Sequence, residues 1–141
     1  MNTYVVIDIE TTGFSTDSEI IEIAALKIAD GIIISTFQTL IKPSVPIPSI
    51  VKRLTSITDK MVENAPSIQE TLPDLLKFIG DKPLVGHNIS TFDIPFINRV
   101  LSNISNLQLQ NSYEDTMVLA KRKVVLDNYK LETIAENFKM I

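Results

Sequence analysis

The sequence predicts an α/β fold in which a mixed sheet opens as three antiparallel strands, continues as alternating helices and short strands, and is flanked by helices. Three observations carry that expectation. The stretch VVIDIETTG, Val5 to Gly13, is β-branched and apolar at four of its first five positions, the composition of a buried strand. Two further apolar runs, Ile20 to Ala29 and Ile32 to Ile41, flank Asp30-Gly31, a pair that favours a tight hairpin because such a turn needs positive φ. Past residue 66, helical patterns alternate with short apolar segments.

The elements follow in chain order. Tyr4 to Glu10 is the first strand, and the hairpin makes the next two antiparallel neighbours. The second run also fits a helical period, but its isoleucines and the turn behind it favour a strand. Pro43, Pro46 and Pro48 make the following segment an extended connector. Helices are expected over 47–53, 58–64 and 67–79, the last with Ser67 as N-cap and Glu70 three residues on, a capping-box pattern. PLVGHN reads as a short buried strand, Asp93 to Leu101 as a helix, Tyr113 as the start of another strand and Thr116 to Lys121 as a helix. In YKLETIAENF, Leu131, Ile134, Ala135 and Phe138 form one apolar stripe at helical spacing.

At 45% hydrophobic and 21% charged residues, residues 1–141 read as one domain with a sizeable core. Cysteine is absent, which excludes disulfides and thiolate metal sites, suits a reducing compartment and makes a cytoplasmic location the expectation. The net charge of −4 argues against a generic nucleic-acid coat protein, yet leaves room for an enzyme whose bound cations reverse the local sign.

Asp8 and Glu10 stand two apart on the first strand, so their side chains share a face. Neighbouring carboxylates repel, burying one is costly without a partner, and the first lysine in the chain is Lys27. A hard divalent cation removes the conflict, because Mg²⁺ takes one or two carboxylates and completes its shell with water and phosphate oxygens. Thr11-Thr12-Gly13 leaves the strand in a turn whose hydroxyls and amides can donate to a nucleic acid. VGHNISTFDIPF adds His87, Asn88 and a third acid, Asp93, which tertiary structure would have to bring to the first strand. The plainer readings are a strand-end charge for Asp8, a solvated charge for Glu10 and a helix cap for Asp93, behind which Ile94-Pro95 places proline in the first turn.

DIETTG at 8–13, IIEIAA at 20–25, LTSIT at 54–58, LVGHN then FD at 84–93, DT at 115–116 and YKLETIA at 129–135 together resemble the DnaQ-like, DEDDh-type 3′-to-5′ exonucleases. That family includes ribonuclease T and the proofreading domains of bacterial replicative polymerases. The resemblance implies a ribonuclease-H-like fold and phosphodiester hydrolysis with two Mg²⁺ or Mn²⁺ ions. It further implies that Asp8 bridges the metals, that Glu10 binds the one activating water and that Asp93 acts on the second. The backbone around Thr11, Thr12 and Gly13, with Leu54 and Thr55, is expected against the terminal nucleotide, where leucine can wedge or stack but cannot read a base. His87 and Asn88 would support the site, Glu22 would orient a neighbour or stay solvated, and Asp115 is better read as a helix N-cap than as a ligand.

The sequence departs from the family pattern in three places. Ser56 replaces a frequent glycine, HNISTFD carries one more residue than the commonest spacing, and no histidine–aspartate pair follows YKLETIA. The last departure predicts a domain interrupted before its final motif and its C-terminal helix, weak or inactive by itself. The expected partners are the 3′ end of a single-stranded DNA or RNA and a DNA polymerase or another replication or repair protein, with no membrane. The alternative is a noncatalytic nucleic-acid- or protein-binding module that keeps the exonuclease fold.

Overall fold

A computed structural model describes residues 2–138. Its strands are β1 (Thr3–Thr11), β2 (Ile20–Ala29), β3 (Ile32–Leu40), β4 (Leu84–Gly86) and β5 (Tyr113–Asp115). The helices are α1 (Ser49–Thr55), α2 (Asp59–Val62), α3 (Ile68–Ile79), α4 (Asp93–Ile104), α5 (Thr116–Lys123) and α6 (Leu131–Asn137). One sheet of order β3-β2-β1-β4-β5 holds all five strands, antiparallel from β3 to β1 and parallel from β1 to β5. This is the expected mixed α/β architecture.

The hairpin turns as its sequence dictates, with Asp30 at φ 51° and Gly31 at φ 80°. A register shift at Lys27/Ile28 bends β2 against β3, a bulge with no evident signal in the pattern. On β1, Val5, Ile7 and Ile9 alternate inward and pack, with Ile23 and Ala25 of β2, against Leu72, Leu75 and Ile79 of α3 and Phe96, Ile97 and Leu101 of α4. Each such side chain contributes roughly 1.5–3 kcal/mol by leaving water. Asp8 and Glu10 therefore lie on the opposite face. A smaller cluster of Ile21, Ile47, Val51, Ile57 and Val62 fastens α1 and α2 to the start of β2, which brings Leu54 and Thr55 beside the end of β1.

Three local expectations change. Ser67 accepts from the Glu70 amide at 3.2 Å, but the two-way capping box forms at Thr58 and Met61 instead. Asp93 does not cap α4: Phe92 holds the N-cap position without a side-chain bond, and the Asp93 carboxylate is used elsewhere. The stripe on α6 is present, but no α6 residue is fully buried, and Leu131 and Phe138 are exposed, because no apolar surface of the described residues closes over it.

Candidate active site

β1 pairs with β4 only at Val5 and Val6, yet continues to Thr11. Amides on the β4 side of β1 recur every second residue; the Val5 amide there donates to Pro83 O at 2.9 Å. By Ile9 the neighbouring strand has turned away, and the orphaned amide donates to Asp93 Oδ2 at 3.0 Å. A carboxylate from the first turn of α4 thus fills a missing place in the ladder. That bond brings the third acid to the notch beside Asp8 and Glu10, and it connects residues 84 positions apart, so no local pattern announces it.

Glu22 completes the cluster. It stands directly opposite Glu10 in the β1–β2 register and accepts from Gln38 Nε2 at 3.1 Å. Neither ion pair among the described residues, Lys52–Asp59 or Lys82–Asp81, involves these acids. Asp93 is 3% exposed, and burial, then the charges of Asp8 and Glu10, push its carboxyl up to about 7 against the pull of the Ile9 amide and its own. Asp8 is raised by loss of surrounding water and by Glu22, with the Ile9 amide and His87 opposing. Glu10 is raised by burial, Asp8 and Glu22. All three shifts have the sign of anions lacking a cation. Among the described residues no group of three His, Cys, Asp or Glu side chains stands ready to hold a metal ion. The fit rests on donor chemistry alone: carboxylate oxygens on one strand face suit a hard divalent ion that keeps much of its shell for water and phosphate.

Next to the acids lies a cavity of about 140 Å³ lined by Ile9, Glu10, Thr11, Gly13, Phe14, Val51, Leu54, Thr55 and Phe92. Leu54 is 80% and Phe14 91% exposed, and Phe14 meets Phe92 edge-on at 5.6 Å. Phe14 and Phe92 are the residues that reading the sequence missed. An aromatic directly after the ETTG turn was the one available signal for Phe14. The threonine hydroxyls serve the fold instead of standing free: Thr11 Oγ1 donates to Gly13 O at 2.8 Å, Thr12 Oγ1 accepts from the Glu19 amide at 2.9 Å, and Thr55 Oγ1 donates to Val51 O at 2.7 Å.

His87, Asn88 and Thr12 lie outside this cavity. Asn88 adopts φ 58°, a left-handed conformation asparagine tolerates, and its amide donates to Asp115 Oδ1 at 2.9 Å. Asp115 caps α5 through the Met117 amide and also holds the Ser90 amide and hydroxyl. Burial alone would raise its carboxyl, but the bonds from Ser90, Asn88 and Met117 outweigh it and hold the group below the usual range. A structural cap is its role, as its place before Thr116 suggested.

The chain is similar to known proteins over nearly its whole length. Residues 5–140 match the exonuclease family described as RNase_T. The DNA polymerase III subunit epsilon of Aquifex aeolicus is 44% identical over 139 residues, covering 96% of this chain and 68% of that protein. The chain belongs to the DnaQ-like exonuclease family. A PolC-type DNA polymerase III of Caldanaerobacter subterraneus is 43% identical over 139 residues, and the exonuclease-like chain spans 10% of its length. Exonuclease X, solved with a 5′ overhanging duplex DNA, superposes with TM-score 0.75 at 29% identity, covering 96% of this chain and 73% of its own. A product-bound exonuclease I shares the fold at TM-score 0.81 and 15% identity, over 96% of this chain and 38% of its own. The DnaQ-like chain is thus a nuclease-family hydrolase with a ribonuclease-H-like fold, and no described helix is long and apolar enough to cross a membrane.

Proposed function

We propose that this domain removes nucleotides from the 3′ end of a single-stranded nucleic acid, using two Mg²⁺ or Mn²⁺ ions held by Asp8, Glu10 and Asp93. The observation that carries this reading is the set of neighbouring carboxylates without an ion-pair partner among the described residues, beside an apolar cavity open at Phe14 and Leu54. Bound divalent cations supply Lewis-acid polarisation of the phosphodiester and hydroxide at neutral pH.

The side chains divide the remaining work. Asp8 and Glu10 present oxygens from one face of a rigid strand, and the amide of Ile9, between them in sequence, holds Asp93 Oδ2. Phe14, Phe92 and Leu54 offer a base an apolar surface without hydrogen-bond readout, so sequence preference is weak. A general base is the missing part. The chain contains one histidine, and both its ring nitrogens are engaged, so these 141 residues bind a 3′ end better than they turn it over. The partners proposed are a nucleic-acid 3′ end and, from the polymerase subunits among the relatives, a replicative polymerase in a soluble cytoplasmic setting.

Calorimetric titration of Mn²⁺ into wild type, Asp8→Asn and Glu10→Ala tests the site, alongside hydrolysis of a labelled single strand. Binding should vanish in both variants. Residual turnover should fall by at least the roughly 100-fold that losing a supporting partner of a metal site costs. Undiminished hydrolysis by Asp8→Asn, or strand binding that follows salt alone and ignores metal, would replace the enzyme reading with a noncatalytic binding module.

A further inference from the structure

His87 follows β4 directly, and its ring is used at both nitrogens. Nε2 lies 2.7 Å from the backbone oxygen of Tyr129, and Nδ1 lies 2.9 Å from Thr116 Oγ1. A carbonyl oxygen only accepts, so Nε2 carries a hydrogen. In the neutral ring Nδ1 accepts from the Thr116 hydroxyl. The Thr116 hydroxyl also lies 3.3 Å from Gly86 O.

What His87 holds is a segment with little else to hold it. Residues 124–130 form neither helix nor strand. Their other bonds are local: the Tyr129 hydroxyl donates to Val124 O at 3.0 Å, and Asn128 Oδ1 accepts from the Lys130 amide at 3.1 Å and the Thr133 hydroxyl at 2.7 Å. Among the described residues, His87–Tyr129 is the one hydrogen bond joining this connector or α6 to anything before α5. His87 follows the end of β4, which pairs in parallel with β1 at Val5 and Val6 just before Asp8, so the segment it holds lies at the β4 side of the acidic notch. Phe14 and Leu54 line a separate cavity that His87 does not touch.

We propose that His87 is a positioning residue, a latch that keeps the α5–α6 connector against the β4 side of the notch. Its catalytic consequence rests on the nuclease reading above; the latch itself does not. Releasing the connector admits water and disorder beside Asp8 while leaving the apolar cavity intact, so kcat falls and KM holds.

The test compares wild type, His87→Gln and His87→Asn. Glutamine can carry a donor to the position of Nε2, whereas asparagine reaches only that of Nδ1 and drops the bond to Tyr129. Amide hydrogen exchange over 125–131 is measured together with steady-state cleavage of a labelled oligothymidylate in Mn²⁺. In His87→Asn the connector should exchange about tenfold faster and kcat should fall about tenfold, the weight of one net hydrogen bond, with KM within about twofold. His87→Gln should keep both near wild type. Unchanged exchange in His87→Asn overturns the latch. So does an equal loss of turnover in both variants with the connector undisturbed, which would make the ring itself a reacting group. Wild-type protein that cleaves nothing is what the lacking general base already allows, and the exchange comparison alone then decides the latch; wild-type protein that neither cleaves nor binds the strand in Mn²⁺ sinks the nuclease reading without touching the latch.

Discussion

At Ser56 the chain keeps a side chain where its backbone asks for none. The residue ends α1 in a left-handed conformation, φ 63° and ψ 13°, with its amide donating to Lys52 O. Glycine takes that conformation freely, while other L-residues sacrifice about 1–2 kcal/mol. Ser56→Gly should therefore stabilise the domain by about 1 kcal/mol, less some unfolded-state entropy, readable as a higher denaturation midpoint with unchanged slope. The glycine that the family resemblance leads us to expect at this place would have that physical reason, which the sequence alone showed only as a departure. Other residues were legible to different depths. Asp8 and Glu10 follow from strand alternation, and Asp115 from its place before a helix. Asp93 was legible as an acid but not as the cap of another strand's amide, because that bond exists only once α4 has docked.

Among the elements, those with strong local signals formed where the sequence placed them. The Asp30-Gly31 hairpin and the strands around it are the clearest cases. Boundaries shifted where tertiary contacts decide: α4 runs on to Ile104, and β4 shrinks to Leu84–Gly86. Gly86 shows what limits β4. A Cβ built there would lie 2.3 Å from Ile89 Cγ2 and 2.7 Å from Ile7 O, inside any permitted contact. The backbone of β1 and the fully buried Ile89 both press on the point where the strands part. Gly86→Ala should cost about 1–3 kcal/mol in chemical denaturation, as overpacked cores do, and should weaken Mn²⁺ binding by displacing β1. A variant as stable as wild type would show that Ile89 repacks without effort.

For the molecule as a whole, the acidic cluster ties stability to pH and metal. A carboxyl whose folded value is raised contributes stability that is complete below its unfolded value and is lost as pH rises through the folded one. For Asp93 that window runs from the ordinary 3.8 to about 7, and Asp8 and Glu10 shift in the same sense. The metal-free domain should thus melt lower at pH 8 than at pH 5.5, and Mn²⁺ at about 100 times its Kd should restore about 2.7 kcal/mol at the higher pH. Equal melting temperatures at both pH values in EDTA would contradict the crowding of charges. One consequence reaches into experimental practice. Strand β1 projects past its parallel neighbour, and its loose edge is pinned by Asp93. Replacing Asp93 to silence the domain would also unfasten the scaffold carrying Asp8 and Glu10, so a loss of function there would confound chemistry with architecture. An inert stand-in for substrate-trapping work belongs at Glu10, which no described hydrogen bond ties to another element through its side chain.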